Sequence, residues 1–87
     1  MDGLRHDYPE KSESGGFSLM TSKGVKAKSL IPVYQSTTFP THVSMATGVH
    51  PNTHGIMHNS FYDKQKGSYS YSPEANWIES KPIWAYL

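Results

Sequence analysis

Apolar positions along the chain fall in short runs, and the spacing within each run predicts its element. Residues 12–23 place Phe17 and Met20 three apart, with Leu19 beside them, which predicts a helix with one face to pack on a sheet. A serine, Ser12 or Ser14, is available as its N-cap and Gly24 as its C-cap, while the paired Gly15 and Gly16 weaken its first turn. From Val25 to Tyr34 the pattern alternates loosely, with Val25, Ala27 and Leu30 to Val33 set against Lys26 and Lys28; this predicts a strand, with Pro32 near an edge or bend. Pro40, Val43, Met45, Ala46 and Thr47 then read as a short helix ended by Gly48. Alternation in Ser68-Tyr69-Ser70-Tyr71, after Lys64-Gln65-Lys66-Gly67, predicts a hairpin turning near Gly67. Residues 82–87 read as the first turns of a helix with Pro82 near its start.

Asp2 to Tyr8 carries no helical or strand period, and Pro9 argues against an early helix. Asp2-Gly3 is a turn signal. A carboxylate before glycine is also what a metal ligand at the C-terminal edge of a buried strand looks like, because open α/β sheets bind ligands there.

Composition bounds the function classes. Eighty-seven residues make one domain at most, with a small core. Eight Lys+Arg against seven Asp+Glu give net +1, too balanced to argue for nucleic acid or an anionic membrane as partner. No run approaches the roughly 18 apolar residues of a membrane-spanning helix. The absence of cysteine excludes disulfides, zinc ribbons and thiol chemistry, and does not identify a compartment.

The stretch Thr37-Thr38-Phe39-Pro40-Thr41-His42 is the strongest candidate for chemistry. Pro40 suits a first helical turn, where its missing N–H is not needed, so Thr38 falls at or next to the N-cap. A hydroxyl there stands among backbone N–H groups at the positive end of the helix dipole, a place that attracts phosphate, sulfate or carboxylate. From spacing alone, Thr37 or Thr38 merely caps a short helix, which is what such threonines usually do. His50, His54 and His58 recur every four residues, but Pro51 and Gly55 interrupt any helix that would align them, so a histidine-rich zinc module is a weak alternative. Pro51 to Gly55 reads as a turn. The tyrosines near the hairpin lack the basic neighbours of a nucleic-acid platform.

Asp2-Gly3-Leu4-Arg5, Thr38-Phe39-Pro40 with His42, Thr47-Gly48, Pro51, His54-Gly55-Ile56 and Asn59 together resemble the nucleotide pyrophosphatase/phosphodiesterase family of the alkaline phosphatase superfamily. The resemblance runs in order from Asp2 to at least Tyr62, and the segment around Pro82 and Trp84 looks like the family's next helix. It implies that Asp2 is a zinc ligand, that Thr38 is the nucleophile and also meets zinc, and that Asn59 hydrogen-bonds a non-bridging phosphate oxygen. Phe39 and Tyr62 would stack on the substrate or line its pocket, or else belong to the core. Two zinc ions would lower the pKa of the threonine hydroxyl and stabilise the attacking and leaving oxygens. The substrate would be a small phosphodiester or nucleotide, and the compartment extracytoplasmic, periplasmic or secreted.

Two departures qualify the match. Thr41 stands where family members often carry asparagine; a threonine can still cap or donate one hydrogen bond, so the expectation is a tuned site. The family's other zinc ligands, aspartates and histidines including an Asp-His-Gly segment, match nothing among residues 1–87. The expectation is therefore an N-terminal portion of a catalytic domain, inactive alone, whose fold is α/β: part of a three-layer α/β/α sandwich, with a strand ending near Asp2, a helix around Phe17, a strand from Val25 and the Thr38 helix. Alone it would expose apolar surface at Leu30, Val33 and Trp84 and be unstable or aggregation-prone. The alternative is a non-catalytic interaction module that keeps the pattern without the metals.

Overall fold

In the computed structural model, residues 1–87 divide into two units, Met1–Ile31 and Pro32–Leu87. The first unit holds two helices. Helix α1 (Tyr8–Lys11) begins with Pro9 in its first turn, where a missing N–H costs nothing. Asp7 at its N-cap pairs with the Arg5 guanidinium and with Lys11 at 3.0 Å, and these two cations hold its carboxyl well below the usual carboxylate range.

Helix α2 (Gly15–Lys23) starts where a serine cap was expected: the Ser14 hydroxyl accepts the Gly16 N–H at 3.4 Å. Gly24 ends it in extended backbone, and glycine is needed there for space, since a Cβ would lie 2.9 Å from the Met20 carbonyl oxygen. The first unit itself holds no strand for this helix to pack on, and Met20 is 69% exposed.

The strand expected over Val25–Tyr34 does not form, and neither does one ending at Asp2, where Asp2-Gly3 makes a turn with Gly3 at φ 64. A strand exists through its ladder partner, and alternation cannot supply one. In place of a ladder, Lys26 reaches Glu10 at 2.8 Å and Val25 stands fully exposed.

The second unit is built around helix α3 (Thr38–Thr47), with Thr37 as N-cap and Gly48 as a left-handed C-cap whose N–H donates to Ser44 at 2.8 Å. A single helical turn, α4 (Pro51–His54), follows where a plain turn was expected. Pro51 opens it and Gly55, at φ 85, closes it by donating its N–H to Pro51. Strands β1 (Ser60–Asp63) and β2 (Gly67–Ser70) form the expected antiparallel hairpin, with Phe61 opposite Tyr69. The Asp63 carboxylate accepts the Gln65 and Lys66 N–H groups at 2.8 Å each and so shapes the turn before Gly67.

Rings fill the space between the hairpin and α3. Phe61 stacks on Tyr69 at 4.8 Å, and Trp77, from a 3-10 turn at Ala75–Trp77, sets its edge against both. Phe39 meets Tyr69 and Tyr71 edge-on at 6.1 and 4.9 Å. Beneath them Ile56, His54 and Pro40 are fully buried. The helix expected after Pro82 is one 3-10 turn, Ile83–Tyr86. Leu30 and Trp84 are exposed as expected, at 72% and 65%, whereas Val33 is half-buried. Helices with a small sheet are consistent with an α/β class.

Candidate functional site

The first turn of α3 and the segment 54–59 converge on one place. Thr38 is the first residue of the helix and is half-buried. A helix leaves its first N–H groups without intrahelical partners, and the usual remedy is a capping side chain at the N-cap. Thr37 does not provide it. Instead the Asn59 side-chain oxygen accepts the N–H of Phe39, the second helical residue, at 2.9 Å from twenty positions along the chain. Pro40, next in line, has no N–H, and the N–H of Thr41 enters the helix by donating to Thr37 at 3.3 Å.

That arrangement revises one expectation and fixes the orientation of one side chain. The helix start offers an anion fewer backbone donors than the sequence suggested, because one is used by Asn59 and one is missing at Pro40. The Asn59 amide orientation is fixed in return: the Phe39 N–H requires an acceptor, so the oxygen faces the helix and the Nδ2 hydrogens face away from Phe39. Asn59 also holds the hairpin's far end, its carbonyl accepting the Tyr71 N–H at 3.4 Å. Tyr71 is the chain's non-glycine residue of positive φ, at 51°, and its ring rests on Phe39, the neighbour of Thr38. Such a conformation costs about 1–3 kcal/mol and persists where surrounding contacts impose it.

The other expected site residues lie as follows. Phe39 is half-buried and edge-on to two tyrosines, so its ring links the site to the core. Tyr62 is 72% exposed on β1. Asp2 belongs to the first unit, at the Asp2-Gly3 turn. Thr41 differs from expectation: its hydroxyl oxygen, like that of Thr37, is buried without a hydrogen-bond partner.

The histidines do not form a metal module. His42 folds back and donates from Nδ1 to the Thr38 carbonyl at 2.7 Å. His54 is wholly buried; its Nδ1 accepts the Ile56 N–H at 3.1 Å, which leaves the proton on Nε2 for Ser44 Oγ at 2.9 Å. With Nδ1 occupied and Nε2 protonated, His54 cannot serve Ser44 as a base, so the pair is no serine nucleophile. Burial pushes the imidazole below its ordinary value, against the pull of the Pro40 carbonyl. No three His, Asp or Glu side chains gather into a cluster able to hold a metal.

Sequence reasoning missed the buried Ser44–His54 pair and the Tyr71 conformation. The spacing of four between His50 and His54 drew attention to ligation; the useful signal was Gly55 after a proline-started turn, which marks a tight, enclosed corner.

Comparison with known proteins bears on this site. A model of the type I phosphodiesterase / nucleotide pyrophosphatase family matches residues 1–87. Over 97% of its length the chain is 38% identical to ectonucleotide pyrophosphatase/phosphodiesterase family member 1 of Homo sapiens, of which it covers 10%. It is 34% identical to an uncharacterized pyrophosphatase/phosphodiesterase of Schizosaccharomyces pombe, with 97% of the chain and 19% of that protein aligned. A bis(5'-adenosyl)-triphosphatase of Xenopus laevis is 34% identical over 95% of the chain and 19% of its own length. The chain thus spans between 10% and 19% of the length of these relatives.

Proposed function

The chain belongs to the type I phosphodiesterase / nucleotide pyrophosphatase family, and from that membership we propose that residues 1–87 are part of a catalytic domain that hydrolyses phosphodiester or pyrophosphate bonds. Thr38 is the nucleophile and Asn59 the donor to a non-bridging phosphoryl oxygen. The observation that carries this reading is the Asn59–Phe39 hydrogen bond: it places a carboxamide beside the residue that follows Thr38 and turns the Nδ2 donors away from the helix.

In the reaction the Thr38 Oγ1–phosphorus bond forms as the bond to the leaving oxygen breaks, and the leaving group departs with a proton. Water then cleaves the phosphothreonine and restores the hydroxyl. Asn59 Nδ2 donates to charge that develops at the phosphoryl oxygen, a contact whose loss costs roughly 3 kcal/mol of transition-state stabilisation. His42 holds the Thr38 carbonyl and stiffens the turn carrying the hydroxyl.

Neither the Asp2 carboxylate nor the Thr38 hydroxyl makes a four-coordinate zinc site by itself, and no cluster of three His, Asp or Glu ligands accompanies either. Two zinc ions are therefore proposed only with further ligands from outside residues 1–87. When bound, zinc would acidify the threonine hydroxyl and neutralise phosphoryl charge. The complete domain would be an α/β/α sandwich. Its substrates would be small nucleotide-type molecules, in keeping with the names of the Homo sapiens and Xenopus laevis relatives, and its compartment extracytoplasmic. Phe39 and Tyr62 would border the substrate.

The test is a chimera in which residues 1–87 replace the matching segment of the Homo sapiens relative. Cleavage of bis(p-nitrophenyl) phosphate that disappears with Thr38→Ala supports the reading. A folded, metal-loaded chimera without activity would favour a non-catalytic module.

A further inference from the structure

Helix α3 and the segment that follows it are joined by two side-chain rungs. One runs from Ser44 to His54, ten residues apart, and the other from Phe39 to Asn59, twenty apart. The segment from His54 to Asn59 therefore runs back along α3 from its middle to its start. Between the rungs the helix advances about 7.5 Å, at roughly 1.5 Å per residue. The same number of residues in extended chain reaches about 17 Å. The connecting segment thus has slack, and chain connectivity from Ser44 does not by itself fix where Asn59 lies.

His54 removes that slack. It is 0% exposed and bonded on every side: Nδ1 to the Ile56 N–H, Nε2–H to Ser44, its carbonyl to the Glu79 N–H at 2.9 Å, its own N–H to His50 at 3.2 Å. Ile56, which it pins, is 1% exposed. An apolar residue of similar volume would fill the space but leave the Ser44 hydroxyl and the Ile56 N–H unpaired.

We propose that His54 is a positioning residue: held between Ser44 and Ile56 as the Nε2–H tautomer, it anchors the segment 54–59 on α3 and so sets the Asn59 carboxamide at the start of that helix. The catalytic meaning of this placement rests on the reading of Asn59 as a phosphoryl-oxygen donor; the placement itself does not.

Amide hydrogen exchange on the isotopically labelled 87-residue chain tests it. In His54→Leu, exchange at the Phe39 amide rises by about tenfold or more, as expected for losing one part-buried hydrogen bond, while the Tyr69 amide in the hairpin is unchanged. His54→Asn, whose Oδ1 can replace Nδ1 toward Ile56, restores most of the protection. If His54→Leu loses all structure, Ser44→Ala provides the milder probe, and a selective rise at Phe39 is again expected. Unchanged Phe39 exchange and unchanged Asn59 side-chain amide shifts in a folded His54→Leu or Ser44→Ala chain overturn the proposal. So does a wild-type chain whose Phe39 and Ile56 amides exchange at unstructured rates. A Thr38→Ala chimera that remains active, with normal Phe39 protection, would count against the proposed function and leave the positioning role standing.

Discussion

The Asn59 side-chain oxygen and the Phe39 backbone N–H lie 2.9 Å apart, and this one contact orients both ends of the carboxamide. Its oxygen completes the start of α3, which Thr37 leaves uncapped, and its nitrogen is thereby aimed elsewhere. Under the proposed function, helix stability and phosphoryl recognition would be borne by opposite ends of the same carboxamide, and chemistry can separate them.

Asn59→Ala removes both ends. It is expected to destabilise the chain by about 1–2 kcal/mol, the cost of leaving the Phe39 N–H without its acceptor. Asn59→Asp keeps an acceptor, and its charge suits a helix N-terminus, so its melting temperature should stay close to wild type. In the chimera, however, the aspartate has no donor for a phosphoryl oxygen, and turnover should fall about a hundredfold. Thermal melts and bis(p-nitrophenyl) phosphate rates measure the two effects; an Asn59→Asp chimera as active as its parent refutes the donor role.

Thr41→Val is expected to stabilise the chain by up to about 1 kcal/mol. Its hydroxyl oxygen is buried without a partner, and replacing it with a methyl group of the same shape removes an unmet desolvation cost. Denaturant titration at constant m-value reads this directly. Destabilisation would mean that the hydroxyl has a partner in solution.

Two left-handed glycines should differ in tolerance. At Gly48, φ 73, an added Cβ meets nothing within 4 Å, so Gly48→Ala carries backbone strain alone, about 1 kcal/mol. At Gly55, φ 85, a Cβ would lie 3.3 Å from Glu79 Cδ and 3.5 Å from the Trp77 carbonyl oxygen. Gly55→Ala should therefore cost about 2 kcal/mol or more, since α4 and the segment after the hairpin must also part. Equal melting temperatures for the two variants would contradict this ranking.

The buried His54 predicts a pH dependence of definite sign. Burial holds its native pKa below the ordinary 6.5, so over the interval between the two values the unfolded chain binds more protons than the folded one. Stability is fully present above about pH 6.5, declines as pH falls below it by at most about 1.4 kcal/mol per unit, and levels off once pH passes the native value. Melting curves at pH 7.5 and 5.5 check it. The difference should shrink in His54→Gln, and a wild-type chain more stable at the lower pH would refute it.

Local signals in the sequence were read correctly where the physics is local. The Ser14 cap, the span of α3 from its proline-bearing first turn to Gly48, and the hairpin each depend on residues within a few positions of one another. The strand over Val25–Tyr34 failed because pairing is a property of two segments, and alternation in one of them cannot reveal whether the other is there. Of the site, Thr38 was legible as a helix start. Asn59 was legible only through the family resemblance, since no spacing rule links a side chain to a helix twenty residues earlier. His54 stood out as a ligand candidate, yet its environment, with both ring nitrogens engaged, is invisible until the corner at Gly55 is folded.

The distance along the chain between Phe39 and Asn59 also has a consequence in time. Closing a loop of twenty residues costs about 2.7 kcal/mol in chain entropy beyond the constant contribution of any closure. Helix α3 can begin to wind early from its own sequence, but its first turn stays frayed until the segment carrying Asn59 has come back to it. The Nδ2 end of the carboxamide is oriented at that same moment. On the proposed reading of Asn59, affinity for a phosphoryl group would switch on late in folding and all at once, and an anion bound here would by mass action favour the fully assembled turn over any partly folded form.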